Sequence, residues 1–391
     1  MDFLKVACGR ARYLGLDMEI ISVDEAARLF PLMDKQHFVG ALYNPLEGHV
    51  DPAGVTQAYA KAARKLGAEV HRFTRVTGLS QRADGSWDVR TDKGDLHAEH
   101  VVNAAGLWAR EVGRFVGLEL PVLAMEHQYL VTGDMPEVVG SATEMLHVID
   151  FEGEIYMRQE GRGMLIGTYE KAGVPWAERQ TPWNFTHELL PPDLDRIAGS
   201  LEVGFRHFPA LERAGIKKIV NGPFTFAPDG NPLIGPMRGL RNYWVACAVM
   251  AGFSQAGGVG LALANWMTDG DPGFDVWAMD VARYGDWATM RYTSGSGYLA
   301  SRPCQPARAV PRSATPCTSA SPVVMPIRSW RSRPSRSFRS GSADWIASAA
   351  RTARSGSSSW AAGAPKSAMT ASPMNFATLP PKRSSSCLTC R

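Results

Sequence analysis

The run from Tyr243 to Val249 is continuously apolar, and small residues and an apolar helical pattern follow it. The small residues are Ala251, Gly252, Ala256, Gly257, Gly258 and Gly260. A buried strand, a small-residue loop and a helix in this order are typical of α/β folds, where ligands bind at the carboxyl ends of the strands. The pattern predicts a helix that begins at Gly260, whose free N–H groups and dipole suit an electron-rich group such as a phosphate. Close packing of the helix on the strand at these glycines explains the same residues equally well.

A second segment has the same order of elements. HVVNAAG (100–106) has the pattern of a buried strand with a tight turn, and LWAREVGRFVGL (107–118) that of a helix with one apolar face. Small residues in such a turn allow a ligand to approach the backbone, although an ordinary βα turn has the same composition.

Residues 51–106 predict a helix followed by three strands. Asp51 is a suitable N-cap, and Pro52 is a suitable first helical residue. An apolar face at helical spacing follows, made by Val55, Ala58, Ala62 and Leu66. Three strand-like runs separated by turn residues come next, at 68–82, 86–92 and 95–106.

Residues 121–220 predict a mostly antiparallel region with one helix around 191–206. In PVLAMEHQYLVT (121–132), alternate residues share one face of a strand, among them His127. A hairpin of EIYMRQE and MLIGTYE follows and places Tyr156 and Arg158 on one face.

The composition changes from about Ser294. In residues 301–391, Ser, Ala, Arg and Pro make up 58 of 91 positions, and no apolar period persists. Because such a segment cannot bury enough apolar surface to offset its ordering entropy, we expect a disordered tail over 294–391. Three origins of this tail are considered: a basic nucleic-acid arm, a natural linker, or the out-of-frame translation of a GC-rich gene. The dispersed arginines favour out-of-frame translation. The CxxC of Cys387 and Cys390 lacks a second pair, so no metal site is expected.

The net charge of +4 is unevenly distributed along the chain. Residues 1–300 hold 28 Lys+Arg against 37 Asp+Glu, so this acidic body is not expected to bind nucleic acid by charge. Its two cysteines, Cys8 and Cys247, are too few for a disulfide framework and favour a reducing compartment. With no run of 18 apolar residues and no signal-peptide pattern, we expect a cytoplasmic protein without a membrane partner.

Several long runs in register resemble the dimethylglycine dehydrogenase family of FAD-dependent amine dehydrogenases, a relative of sarcosine dehydrogenase within the D-amino-acid-oxidase-like fold. The resemblance covers about residues 10–293. It is carried by YNPLEGHVDP (43–52), GSWDV (85–89), VVNAAGLWAREVG (101–113), HQYLVT (127–132), YMRQE (156–160), VNGPFTFAPDGNPLIGP (220–236), NYWVACAVMAGFSQAGGVG (242–260) and ARYGDWAT (282–289). It implies FAD as cofactor, a small N-methylated amino acid as substrate, and hydride transfer from the N-methyl carbon to the flavin. The electron acceptor beyond the flavin stays open.

The resemblance implies an α/β fold with mixed α+β character and a division into four segments. These are a partial FAD-binding region (1–120), an antiparallel substrate region (121–220), the C-terminal part of the FAD-binding region (221–293) and the tail (294–391). Family members begin with a GxGxxG unit that binds the FAD pyrophosphate and continue into a tetrahydrofolate-binding region, and this sequence has neither. We therefore expect a chain truncated at the N-terminus, out of frame after about residue 293, that binds FAD weakly or not at all. The alternative function is a non-catalytic remnant, or an interaction protein that uses its basic tail.

By match to the family motifs, His127 in HQY is the active-site histidine, and Tyr156 in YMRQE is the tyrosine that helps to position the substrate. Histidine suits this role because hydride leaves readily only from a neutral amine, and imidazole can accept the ammonium proton. From the residues alone, His127 would be a hydrogen-bonded core residue and Tyr156 a half-buried strand tyrosine. Arg158 would pair with a substrate carboxylate or be solvated.

The cofactor contacts that the resemblance implies lie in three places along the chain. They are Val76, Trp108, Val249, Met250, Ala251, Gly252, Phe253 and Ser254. Backbone contacts would explain Val76 and the run from Val249, since these side chains carry no charge. Without the resemblance, Trp108 would be a core residue. No metal site is expected in the body.

Overall fold

The computed structural model describes residues 1–170, 173–186 and 188–294, together with the backbone of residues 387–390. The helices in these ranges are α1 (Asp2–Tyr13), α2 (Val23–Leu29), α3 (Pro52–Lys65), α4 (Ala109–Arg114), α5 (Pro136–Val139), α6 (Leu194–His207) and α7 (Gly252–Asp269). The strands are β1 (Glu19–Ile21), β2 (Ala41–Asn44), β3 (Val76–Gln81), β4 (Trp87–Thr91), β5 (Gly94–Ala98), β6 (Val101–Asn103), β7 (Leu123–Thr132), β8 (His147–Asp150), β9 (Ile155–Glu160), β10 (Gly163–Thr168), β11 (Pro175–Trp176), β12 (Ile216–Phe226), β13 (Leu233–Pro236), β14 (Tyr243–Cys247) and β15 (Cys387–Cys390).

The largest sheet has nine strands among the described residues, in the order β1-β2-β15-β8-β9-β10-β7-β11, with β12 also paired to β7. All neighbouring pairs are antiparallel except β15 with β8. The long β7 pairs with β12 along one edge, and β10 and β11 share its other edge. Strands from 121–220 thus form most of this sheet, which also takes β1 and β2 from nearer the N-terminus.

One face of this sheet is apolar. Val148, Met157, Ile166 and Leu130 lie side by side on β8, β9, β10 and β7 and are buried. They form one core with apolar residues of α6, and burial of each such side chain stabilises the fold by roughly 1.5–3 kcal/mol. Because side chains alternate along a strand, the opposite face carries the polar and aromatic residues of the candidate site.

Two three-stranded sheets complete the described fold. One is the antiparallel meander β3-β4-β5, and in the other β14 pairs antiparallel with β13 and parallel with β6. Trp87 and Tyr243 pack together in a core that joins the two sheets, with ring centroids 5.5 Å apart. The prediction of one strand over 95–106 was wrong. The first strand ends at Ala98, and a second strand begins at Val101 in the other sheet.

The helix α3 begins as predicted, since the Asp51 carboxylate accepts the Gly54 N–H at 2.8 Å and Pro52 is the first helical residue. No residue of α3 is buried by the rest of the described chain, and Tyr59 is 61% exposed. Its predicted apolar face is therefore not fully buried by other described residues.

The prediction that the last long helix begins at Gly260 was wrong, because α7 begins at Gly252. The Ala251 carbonyl accepts the N–H groups of Ser254 and Gln255, so the small residues continue the helix instead of forming a loop. At Gly257 a β-carbon would lie close to the Tyr59 hydroxyl, so a small residue suits this one position.

The predicted disorder of 294–391 falls almost entirely outside the described residues. Of this segment the structure describes Ser294 and the backbone of β15, which lies between β2 and β8. The described chain belongs to one unit (1–308 with 383–391), and a second unit (309–382) lies outside the described residues. Among the described helices, none has the length and apolar character needed to cross a bilayer.

Candidate active site

The candidate site lies on the polar and aromatic face of the large sheet. Register places Tyr156 of β9 opposite Gly167 of β10, and Gly167 opposite Tyr129 of β7. Gly167 has no side chain, and the Tyr156 ring occupies the space that a β-carbon there would fill. The ring of Tyr156 is thereby directed across β10 towards β7, where His127 shares a face with Tyr129.

His127 is bound to a buried carboxylate. Its Nδ1 atom lies 2.7 Å from Oε2 of Glu170, which follows β10 and is 2% exposed. The other carboxylate oxygen, Oε1, accepts the backbone N–H of Gln128 at 2.7 Å. Two consecutive residues of β7 thus hold the carboxylate, which in turn orients the imidazole ring.

Aromatic rings surround this pair. The centroid of the His127 ring lies 5.1 Å from that of Phe224 and 5.7 Å from that of Tyr169. The Tyr169 ring is also 5.7 Å from the Tyr156 ring. His127 and Tyr156, the two predicted site residues, therefore belong to one aromatic cluster and are connected through Tyr169.

Burial shifts the pKa values of two groups on this face. It raises the pKa of Tyr156 to about 12, with smaller contributions in the same direction from Glu170 and Tyr129. It lowers the pKa of His147 to about 4, assisted by the charges of His49 and Arg158. At neutral pH the Tyr156 hydroxyl is therefore a protonated donor, and the His147 imidazole is uncharged.

Arg158 lies two residues after Tyr156 on the same strand. Its Nη1 donates to the Gln159 carbonyl at 3.0 Å and to the Glu160 carboxylate at 2.5 Å. The guanidinium is thus already paired with a glutamate that is 46% exposed, and a substrate carboxylate would have to compete with it.

The predicted cofactor run from Val249 to Ser254 connects β14 to α7. Val249 and Met250 are partly buried, Ala251 is the N-cap, and the rest form the first turn of the helix. The surface beyond is open, since β-carbons added at Gly252, Gly258 and Gly260 would meet no atom within 4 Å.

Several features of this surface fit a flavin. Phe253 is 52% exposed at the positive end of an 18-residue helix, where an electron-rich ring edge is stabilised. The Oε1 atom of Gln255 is buried without a hydrogen-bond partner among the described residues. Small residues, free helix N–H groups and an unpaired amide oxygen together suit a flat polar ring system.

This run approaches the polar and aromatic face of the sheet near one aromatic side chain, Phe224. Met250 and Phe224 both pack against the buried cluster of Leu123, Met125 and Phe226. Phe224 also contacts the His127 ring. The structure thus brings the predicted cofactor loop and the predicted active-site histidine to the same region of the fold.

The other two predicted cofactor contacts lie on different elements. Val76, the first residue of β3, is partly buried against the core that contains Trp87. Trp108 precedes α4, and its indole Nε1 donates to the Pro182 carbonyl at 3.1 Å. Among the described residues, neither belongs to the cluster formed by Met250 and Phe224.

Four residues of the site were not predicted from the sequence: Gly167, Tyr169, Glu170 and Phe224. Alternation carried a signal for Tyr169, which lies two residues after Gly167 on the same side of the chain. The contact of Glu170 with His127 depends on the register of β10 against β7, which the pattern does not specify. Within the described ranges, no group of three or more His, Cys, Asp or Glu is placed to hold a metal ion.

Comparison with known proteins assigns the family. The model of a family described as FAD-dependent oxidoreductase matches residues 1–266. Mitochondrial dimethylglycine dehydrogenase of Mus musculus is 42% identical over 298 residues, which are 75% of this chain and 34% of that relative. Mitochondrial sarcosine dehydrogenase of Mus musculus is 34% identical over 276 residues, covering 69% of this chain and 29% of that relative. The chain thus spans about a third of the length of these curated relatives.

Solved structures confirm the mixed D-amino-acid-oxidase-like fold expected from the sequence. L-proline dehydrogenase from P. horikoshii superposes with a TM-score of 0.59 at 27% identity, covering 70% of each chain. Glycine oxidase from Geobacillus kaustophilus superposes with a TM-score of 0.54 at 22% identity, covering 70% of this chain and 69% of that chain, and supports the fold alone. The chain belongs to the FAD-dependent oxidoreductase family, and its homologues include the dimethylglycine and sarcosine dehydrogenases.

Proposed function

We propose that this chain acts in the oxidative demethylation of a small N-methylated glycine-type amino acid such as dimethylglycine or sarcosine. The observation that carries the proposal is the His127–Glu170 pair, which borders an aromatic cluster and meets the predicted cofactor loop through Phe224. Relatives named dimethylglycine and sarcosine dehydrogenase, at 42% and 34% identity, support this substrate class.

The aromatic cluster suits a methylated ammonium group. Rings of Tyr156, Tyr169 and Phe224 offer apolar area to the methyl groups and negative faces to the charge, worth about 0.5–2 kcal/mol for each cation–π contact. With a pKa of about 12, the Tyr156 hydroxyl stays protonated and donates a hydrogen bond to the substrate carboxylate. The substrate is thereby held at both ends.

His127 accepts the ammonium proton of the bound substrate. Because Nδ1 is bound to Glu170, Nε2 is the ring nitrogen that remains for the substrate. Removal of this proton frees the nitrogen lone pair, which drives hydride loss from the N-methyl carbon and gives an iminium. Water then hydrolyses the iminium to formaldehyde and the demethylated amine.

FAD, when bound, would supply the acceptor for that hydride, and the residues that would hold it are Val249 to Ser254, with Val76 and Trp108 as further contacts by motif. The open first turns of α7 leave space for the ring system, and Phe224, which contacts the His127 ring, packs against the same cluster as Met250 of the loop before the helix. The chain's own residues thus bind the amine, orient it and take its proton.

The test uses the full chain with FAD in excess, so that weak flavin affinity does not hide the activity. We expect the chain to change the flavin spectrum when FAD is titrated to saturation, and we expect dimethylglycine or sarcosine, but not glycine, to reduce an artificial dye. His127→Asn should lower the rate roughly 10²–10⁴-fold, the usual contribution of a general base. His97→Asn, which changes a half-exposed histidine of β5, is the matched control and should retain the rate.

Two results would contradict the proposal. A flavin-loaded chain that reduces no dye with either amine would rule out this substrate class. A chain that takes up no flavin at saturating FAD would support the non-catalytic alternative.

A further inference from the structure

We propose that Glu170 is a positioning residue, which holds His127 in the tautomer that carries its proton on Nδ1 and leaves Nε2 to accept the proton of the substrate. This inference rests on the function proposed above. It assigns a role to a residue that the sequence pattern did not indicate, two residues after the end of β10.

The carboxylate of Glu170 is clamped by two groups of one strand. Oε2 lies 2.7 Å from His127 Nδ1, and Oε1 accepts the Gln128 N–H at 2.7 Å. Rotation of the carboxylate would break one bond or the other, so its plane is set by β7. A carboxylate without a proton can only accept, and the Nδ1 atom that it faces is therefore the donor.

The surroundings of Glu170 provide an electrostatic reason for His127 to take up a proton. Its side chain is 2% exposed, and within the described residues His127 is the basic group that lies within ion-pair distance of it. A buried carboxylate is costly unless its charge is compensated. Protonation of His127 at Nε2 creates that compensating charge 2.7 Å away, so the pair favours transfer of a proton from the substrate to the ring.

A second His–carboxylate pair in the same chain differs from the first in how accessible it is to a substrate. His207 Nδ1 lies 2.7 Å from Asp150 Oδ2, the same bond with the same ring nitrogen. That pair is enclosed, with side-chain exposures of 2% and 0%, and the His207 ring stacks on His37 at 5.1 Å. His127 is 15% exposed and borders the aromatic cluster, so of these two pairs it is the one that a substrate can reach.

The test reads the tautomer directly, by nitrogen NMR of the full chain labelled with ¹⁵N-histidine and without flavin or substrate. The His127 signals are assigned by their loss in His127→Asn. We expect the neutral ring of the wild type to show a protonated Nδ1 and an unprotonated Nε2. Glu170→Gln should lose this single tautomer, and Glu170→Asp, which keeps the charge on a shorter side chain, should recover part of it.

A matched variant separates positioning from stability. Asp150→Asn removes the charge of the enclosed pair and replaces one carboxylate oxygen with an amide NH₂, so it should lower stability and leave the His127 signals unchanged. With FAD in excess, Glu170→Gln should lower kcat roughly 10–100-fold, part of the usual contribution of a general base, with KM within about threefold of the wild type.

Two outcomes would overturn the inference. One is a wild type whose His127 carries its proton on Nε2, and the other is a His127 tautomer that is unchanged in both Glu170→Gln and Glu170→Asp. Because the NMR measurement needs neither flavin nor turnover, an inactive chain would contradict the proposed function and leave the tautomer to decide the role of Glu170.

Discussion

The ring of Tyr156 lies over Gly167, which pairs directly opposite it on the neighbouring strand. A side chain at position 167 cannot share this space with the ring. The orientation of the proposed substrate-binding tyrosine therefore depends on the absence of a side chain on β10.

We expect Gly167→Ala to displace the Tyr156 ring, because the added β-carbon would collide with it. The change should cost about 1–3 kcal/mol of unfolding free energy, the usual range for overpacking, and lower kcat/KM at least about tenfold. Urea denaturation and dye reduction measure the two effects. Gly199→Ala on α6, where a β-carbon meets no atom within 4 Å, is the control and should lower neither quantity. An unchanged kcat/KM in Gly167→Ala would show that the ring position does not matter.

Tyr156→Phe removes the proposed donor to the substrate carboxylate. A hydrogen bond to a charged group contributes about 1.5–3 kcal/mol, so kcat/KM should fall roughly 10–100-fold. Because the pKa of Tyr156 is raised to about 12, this loss should be constant from pH 6 to about pH 10. Tyr292→Phe, at a position that is 42% exposed, is the control. A ratio of wild-type to variant rates that changes steeply below pH 10 would argue against a neutral Tyr156.

The partly buried His147 should make the fold sensitive to acid. Its pKa is about 4 when folded and about 6.5 when unfolded, so between these values the unfolded chain binds a proton that the folded chain does not. Stability that is present above pH 6.5 is therefore lost as the pH falls towards 4. His147→Gln should remove up to about 3 kcal/mol of this loss, measured as urea denaturation between pH 7 and pH 4. Exposed His71→Gln serves as the control, and identical pH slopes in His147→Gln and the wild type would refute the prediction.

Gly258→Leu should weaken flavin binding without unfolding the chain. A β-carbon at Gly258 meets no atom within 4 Å, so the leucine extends into the open surface of α7 that we assign to the cofactor. We expect the Kd for FAD, measured by flavin fluorescence, to rise at least about tenfold, which corresponds to about 1.4 kcal/mol. Thr268→Leu, in the last turn of the same helix, should leave the Kd unchanged. Equal Kd values for Gly258→Leu and the wild type would place the flavin elsewhere.

Sequence periodicity predicted the elements of this fold better than their boundaries. The alternation in 121–132 predicted a strand with His127 on one face. The structure has this strand as β7. The start of α7 was mispredicted because a run of glycines and alanines suits a loop and a closely packed helix equally well. The run 95–106 was read as one strand, although residues 100–106 alone also have the pattern of a buried strand with a tight turn, which β6 matches.

The candidate site was predicted only in part, for a similar reason. His127 and Tyr156 were indicated by motif resemblance, and the structure connects them through Tyr169. Glu170 could not be foreseen, because its contact depends on the register between two strands about 40 residues apart. The assigned roles of all these residues, and the expected cytoplasmic location, stay predictions.

The most direct test of the central claim is the stoichiometry of formaldehyde released to dye reduced, by the full chain in excess FAD with dimethylglycine as substrate. With a dye that accepts two electrons, the account predicts equal amounts of formaldehyde and reduced dye in the wild type and a fall of both rates together in His127→Asn. Dye reduction without formaldehyde, or a flavin-loaded chain that yields neither product, would contradict it.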